Sequence, residues 1–236
     1  MLWRCDNVST PTTQDSSNCC SICKTNSKAA AINQKRYDAL TTTERVSRGI
    51  IKGDFPNSAA PTQVDLKLKC DSKVMMCANN PDEGYLNGDI GRIMAINNKY
   101  IKIQLDRGPI VNVTPYTWEN YAYQVKEGEL GKHSTGEFTQ FPVKLSYAIT
   151  AHKSQGMSLD AAIVDLSGGF NSEGLTYVVI SRVRSLDNLK LVTPLKVSDI
   201  KVSQKAKNFT FNVSMAGLKK LESTKAVNVN KESVAA

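Results

Sequence analysis

The sequence predicts an α/β fold in which a parallel sheet with helices is interrupted by a small antiparallel β-barrel insertion. Three observations predict it. An apolar strand, a polar cap and a helix follow one another between residues 20 and 40. Short alternating apolar runs, broken by Gly, Asn and Pro, then recur every eight to twelve residues up to about residue 137. From Phe138 to Pro194 apolar strands and helical segments alternate again. The first and third patterns are those of a parallel sheet, and the second is that of antiparallel strands joined by tight turns.

Residues 1–18 are rich in Ser, Thr and Asn without periodicity and read as a disordered lead-in. Cys20-Ser21-Ile22-Cys23 is a short strand, and Thr25, Asn26 or Ser27 can cap the helix that follows. In that helix Ala29, Ile32, Tyr37 and Leu40 recur with helical spacing until the threonine run at 41–43 ends it.

Alternation begins at Val64, Leu66 and Leu68, and Val74-Met75-Met76-Cys77 is a short buried strand. Beyond the turn at 81–84 come LNGDIGRIMAI, an Asn97-Asn98 turn, YIKIQLD, an Arg107-Gly108-Pro109 turn and IVNVTPYTWENYAYQV. Lys126 to Gly136 reads as a loose edge of this β-rich part. The rhythm then predicts a strand at Phe138–Val143, a largely helical Leu145–Gln155, a strand at Ala161–Leu166, a helix at Gly174–Arg184 and a closing strand at Leu189–Pro194. The expected division is one discontinuous α/β domain, 19–83 with 138–200, an insertion at 84–137, and a basic, flexible tail at 201–236.

Net charge is +8 with a sequence pI near 9.1, which favours a polyanionic partner. From Lys196 to Ala236 eight lysines face three acids, so this segment supplies five of the eight charges. It can track a nucleic-acid backbone or simply be a solvated terminus. No apolar run approaches the roughly 18 residues of a spanning helix, and Met1–Val8 lacks the build of a signal peptide. No membrane partner is therefore expected, and the expected address is intracellular, with nucleus, mitochondrion and cytoplasm not separated. The six cysteines contain one close set, Cys19, Cys20 and Cys23, with no second pair to complete a zinc site, so no metal ligands are assigned.

Two blocks carry the chemistry. In YAITAHKSQG, Tyr147 to Gly156, apolar residues can anchor the segment on the sheet, while Thr150, His152, Ser154 and Gln155 offer groups suited to phosphate oxygens or to a neighbouring domain. Gly156 permits a sharp turn and a close approach. Alone, these ten residues equally suit a capped surface helix with a polar end. In the second block, Tyr177-Val178-Val179-Ile180 is a buried helical run that delivers Ser181-Arg182-Val183-Arg184 to its end, where an arginine can reach a nucleotide phosphate or form a surface ion pair.

Together the blocks resemble the C-terminal half of superfamily 1 DNA helicases of the RecD/Dda/Pif-type branch, most of all the Pif type. The resemblance extends from about Ile22 to Pro194 and includes the strand-Thr25-Asn26-helix-Asn33 opening, LKLKCDSKVMMCANN, LNGDIGRI, QFPVKLSYAITAHKSQGMSLD and YVVISRVRSLDNLKL. It implies a second RecA-like motor domain, with a β-barrel insertion lying over single-stranded DNA. Thr150, His152, Lys153 and Ser154 would lie near the DNA backbone, with Lys153 either a contact or a structural cation. Gln155 and Gly156 would sit at the ATP junction, and Arg182 would be the catalytic finger on the ATP γ-phosphate. Val179-Ile180 replaces the family's usual Ala-Leu, a packing change.

Such a motor needs a phosphate loop of the form G-x-x-x-x-G-K-[ST]. The one Gly-Lys pair, Gly131-Lys132 in GELGKHST, lacks the spacing, the Ser/Thr and the strand-to-helix context. The expected function is thus the C-terminal motor portion of an ATP-dependent DNA helicase, 5′ to 3′ by resemblance. It would share ATP and Mg2+ with a first RecA-like domain in cis or in trans and would be inactive alone. The alternative is a non-catalytic module for single-stranded nucleic acid, in which Tyr116, Trp118 or Tyr121 stack on bases or else fill the β-rich interior, or a remnant of a mobile-element or viral helicase.

Overall fold

The computed structural model describes residues 19–126, 129–167, 169–170 and 172–214. The lead-in at 1–18 and the tail beyond 214 lie outside the described residues. In chain order the first elements are β1 (Cys20–Cys23), α1 (Asn26–Asp38), β2 (Arg45–Arg48), β3 (Ile50–Gly53), β4 (Asp65–Leu68) and β5 (Lys73–Met76). There follow β6 (Ile90–Ile96), β7 (Ile101–Leu105), β8 (Ile110–Val113), β9 (Tyr116–Lys126), β10 (Glu129–Gln140) and β11 (Val143–Leu145). The series closes with β12 (Ala148–Thr150), β13 (Ala162–Val164), α2 (Leu175–Ile180) and β14 (Leu189–Leu191).

The fold is α/β, with a parallel sheet of order β12-β1-β13-β14. Its strands β12, β1 and β13 are three or four residues long and mostly apolar because both faces are covered. Ile22, Ile149, Ala162, Val164, Leu175 and Val179 share one core under α2. On the outer side of β12, α1 is held by a two-way amide clasp: Asn33 Nδ2 donates to Ala148 O at 2.9 Å, and Ala148 N donates to Asn33 Oδ1 at 2.8 Å. A side-chain amide has one donor and one acceptor end, so a single Asn can satisfy both backbone groups of an edge-strand residue. Thr25 caps α1 by accepting from Lys28 N at 3.2 Å.

Between α1 and β12 the chain builds antiparallel sheets of order β11-β5-β6-β7-β8, β3-β10-β9 and β2-β4. The five-stranded sheet and β4 surround an apolar interior that includes Leu66, Val74, Ile93, Ile103, Val113 and Phe141. Met75 joins the core of the parallel sheet instead, since successive side chains of β5 point to opposite faces. At Gly91 even a Cβ would lie 2.5 Å from Gln104 O, so the closeness of β6 to β7 requires glycine there.

Several elements differ from their sequence expectation. Strand pairing carries the β-rich part from β2 to β11, wider than 84–137, because β4, β5 and β11 find antiparallel partners. Leu145–Gln155 is not largely helical: it contains the end of β11, all of β12 and a turn. A short, fully buried apolar run has no periodicity to distinguish helix from strand, and here the free edge of β1 decides it. Of the expected loose edge at 126–136, residues 127 and 128 lie outside the described residues, and residues 129–136 are no loose edge, since β10 pairs along β9 with a bulge between Ser134 and Gly136. The second helix is only six residues long, as residues 181–184 turn back for an isolated parallel bridge between Val183 and Leu159. Residues 204–214, expected within a flexible tail, are helical, with Ser203 Oγ accepting from Ala206 N at 3.4 Å at the start.

Candidate nucleic-acid and nucleotide interface

The C-terminal ends of three adjacent parallel strands meet at one edge. Ala151 N donates to Cys23 O at 3.0 Å, and Asp165 N donates to Ile22 O at 3.3 Å, which sets Thr150, Cys23 and Asp165 side by side. The chain leaves β1 towards β12 on one side, while β13 continues to β14 on the other. Open α/β sheets form their ligand crevices where connections diverge in this way.

The turn after β12 sorts the residues singled out from the sequence. Ser154 is fully buried: its Oγ donates to Ala151 O at 2.7 Å and its N–H donates to Thr150 O at 3.1 Å. Gln155 N and Met157 N continue the turn by donating to His152 O at 3.3 Å and Ser154 O at 3.1 Å. His152, Lys153 and Gln155 are consequently exposed, whereas Thr150 is 7% exposed at the strand end. Gly156 has φ +77 with open space around a would-be Cβ, so it is the backbone conformation that favours glycine. The structure therefore brings Thr150, His152, Lys153 and Gln155 to one rim and turns Ser154 inward.

Beside this rim lies a cavity of about 720 Å³ between α1 and the β-rich part. Asn26, Thr150 and Lys153 stand among its lining residues with Tyr37, Lys67 and Lys144, and no Asp or Glu does. Its floor is apolar, with Ala29, Leu66, Val143 and Ile149. Tyr37 is held as a neutral phenol, because burial and then a hydrogen bond to Glu44 Oε2 at 3.1 Å raise its pKa. An apolar floor with an ammonium rim suits an amphiphilic anion such as a nucleic-acid strand, whose bases are apolar on their faces and whose phosphates are charged.

Arg182 leaves the end of α2 and points back at the same turn. Its Nε donates to Val178 O at 2.7 Å, Nη1 to Met157 O at 3.3 Å and Nη2 to Ser181 Oγ at 2.9 Å. These acceptors are all uncharged, so they position the guanidinium without neutralising it. Leu159 N donates to Arg182 O at 2.8 Å and Arg184 N donates to Leu159 O at 3.2 Å, which ties the two sequence blocks into one unit. Arg184 differs: its Nε lies 3.5 Å from Asp160 Oδ1, with both side chains about 70% exposed, a pair of little energetic weight.

An ion pair missed by pattern reasoning lies at the strand edge. Lys28 Nζ donates to Asp165 Oδ2, and Asp165 Oδ1 accepts from Ser167 N at 2.9 Å. Burial pushes the Asp165 pKa up, but the hydrogen bonds from Lys28 and Ser167 outweigh it and the carboxyl lies below its usual range. An acid at a strand end was visible in the sequence; its partner was not, because no local spacing links residues 28 and 165.

The remaining candidates lie in the β-rich part and among the cysteines. Gly131 and Lys132 lie in β10, paired to Gln124 and Tyr123 of β9, rather than in a strand-to-helix loop. Tyr116, Trp118, Phe138 and Phe55 form a chain of ring contacts with centroids 5.1 to 5.6 Å apart, while Tyr121 is 40% exposed with Lys132 Nζ 3.4 Å from its ring centroid. Cys20, Cys23, Cys70 and Cys77 are free thiols, and burial pushes Cys20 up to about 12. Among the described residues no three His, Cys, Asp or Glu side chains gather as a metal site, and no helix is long and apolar enough to cross a membrane.

No family model matches the chain. It is 29% identical over 191 residues to the ATP-dependent DNA helicase Pif1 of Campylobacter jejuni, covering 75% of this chain and 42% of that protein. It is 33% identical over 169 residues to the ATP-dependent DNA helicase Pif1 of Bdellovibrio bacteriovorus, covering 70% and 37%. In structure it is similar to the Pif1 helicase from Bacteroides solved with ADP-AlF3 and single-stranded DNA, with TM-score 0.74, 29% identity, and coverage of 90% of this chain and 49% of that one. The chain thus spans less than half the length of each of these relatives.

Proposed function

Since the chain belongs to the Pif-type helicases in sequence and in fold, we propose that it is the second RecA-like motor domain of an ATP-dependent DNA helicase, moving 5′ to 3′ on the strand it grips. The observation that carries this reading is the acid-free, lysine-rimmed cavity that runs into the exposed turn after β12. Single-stranded DNA would lie across the strand ends, with His152 and Lys153 on its phosphates and the β-rich insertion on its other side. Thr150 lines the cavity. Ser154 acts at one remove, holding the turn in the shape that presents its neighbours. The Bacteroides relative solved with single-stranded DNA supports this assignment.

Arg182 fits a nucleotide phosphate, being a guanidinium held by neutral acceptors with its charge unspent. ATP supplies the phosphoryl group whose hydrolysis drives movement, and the charge that develops there is what an arginine finger stabilises. Gln155 and Gly156 adjoin the residues that fix Arg182, which couples nucleotide contact to the DNA rim through a few covalent bonds. The phosphate loop and the magnesium ligands would come from a first motor domain, in cis or in trans. The relatives' greater length is consistent with one.

The test is equilibrium binding of fluorescent oligo(dT) to the chain over a salt series. The prediction is binding that weakens as salt rises, with Lys144→Ala and Lys153→Ala each lowering the slope by about 0.7. Salt-independent binding, or slopes unchanged in both variants, would defeat the assignment of the cavity rim.

A further inference from the structure

We propose that Asp165 is a built-in competitor for nucleic-acid phosphate at Lys28, so that docking of a strand exchanges one anion for another and Asp165 sets how tightly the strand is held. The inference rests on the reading of this edge as the DNA-binding face and adds to it an internal regulator of affinity.

Three observations carry it. The first is placement. Asp165 stands at the end of β13, Cys23 ends β1 beside it and Thr150 ends β12 beyond, so two strand spacings of about 4.8 Å put Asp165 about 10 Å from Thr150 along the edge. A strand contacting the turn after β12 needs only a few nucleotides to pass over Lys28. The second is asymmetry of access. The Lys28 side chain is 49% exposed and the Asp165 side chain 11%, so the ammonium faces solvent while the carboxylate is held from behind by Ser167 N at 2.9 Å. A lysine ammonium on its long stem can turn to a new anion, and a carboxylate fixed by a backbone N–H cannot follow it.

The third observation is electrostatic. The first turn of α1 contains no acidic residue of its own, yet it carries the cation Lys28. A cation there opposes the helix dipole, and Asp165 supplies the missing negative charge from the neighbouring strand. The carboxylate therefore occupies the role a phosphate oxygen would take. Polyanion binding gains the Lys28 contact only at the expense of this pair, so the edge grips less tightly than its lysines alone would allow.

The experiment is a double-mutant cycle on the full chain, with Asp165→Asn, Lys28→Gln and the double variant titrated with fluorescent oligo(dT) of about 16 nucleotides across a salt series. One added phosphate contact steepens the salt slope by about 0.7, worth about fivefold in affinity between 1 M and 0.1 M salt. Asp165→Asn is expected to tighten binding by up to that factor and steepen the slope, Lys28→Gln to weaken binding, and Asp165→Asn to bring no such gain in the Lys28→Gln background. An equal gain in both backgrounds would show a general charge effect and overturn the proposal, as would no gain at all. Should Asp165→Asn not fold, as judged by its thermal melt, Lys28→Gln alone decides: weaker binding with a shallower slope supports the proposal, and unchanged binding overturns it. An unaltered chain that binds no oligonucleotide overturns this proposal together with the DNA-binding reading, whereas normal binding unaffected by these variants overturns this proposal alone.

Discussion

Replacing Ser154 by alanine separates building the turn from touching the DNA. The hydroxyl is fully buried and donates to Ala151 O at 2.7 Å, and that carbonyl also receives Ser154 N at 3.3 Å. Removing the hydroxyl therefore takes away one internal hydrogen bond without orphaning its acceptor, which places the cost at about 1 kcal/mol. For a chain of this length that lowers the melting temperature by about 2–4 °C. No part of the hydroxyl reaches solvent, so oligo(dT) affinity at fixed salt should change by less than about twofold, or roughly 0.4 kcal/mol. Thermal unfolding and fluorescence anisotropy on one preparation read both quantities. A tenfold loss of DNA affinity with an unchanged melting temperature would refute the reasoning, because it would mean that the hydroxyl faces the strand.

Gly156→Ala forces a left-handed conformation on a residue with a Cβ and should destabilise by about 1–2 kcal/mol without any clash, as urea unfolding would show. Phe138→Ala empties a fully buried site between Trp118 and Phe55 and should cost about 3–5 kcal/mol on the same measurement. Asp165 has a lowered folded pKa, so its stabilisation is present above the unfolded value near 3.8 and is lost as pH falls through the folded value. Lys28 has a raised folded pKa, so its share is complete below 10.5 and is lost only as pH rises beyond that. Unfolding free energy followed between pH 2 and 6 should accordingly fall less steeply on the acid side in Asp165→Asn than in the unaltered chain.

The strand, Thr25 cap and helix at the start were legible because each leaves a local mark: an apolar run, a capping side chain and helical spacing. The two motif blocks were legible for the same reason, and the structure joins them through Leu159, Arg182 and Arg184. What could not be read depended on strand pairing, turn geometry and contacts that leave no periodic mark in the sequence. Ala148-Ile149-Thr150 is a strand because β1 offers an edge, and β10 is ordered because β9 pairs with it, although its Gly- and Lys-bearing sequence shows no alternation. A hydroxyl beside His and Lys suits a phosphate, which makes Ser154 a DNA-contact candidate from sequence, and only the turn geometry shows it facing inward. The Lys28 and Asp165 pair spans 137 residues and has no local signal.

The most direct test of the central claim is DNA-stimulated ATP hydrolysis by this chain alone, with a separately supplied first motor domain, and with that domain and Arg182→Ala. The expected results are background hydrolysis by the chain alone, turnover when the two halves are together, and loss of that turnover in Arg182→Ala with oligo(dT) affinity largely kept. Hydrolysis by the chain alone, or undiminished turnover with Arg182→Ala, would contradict the claim.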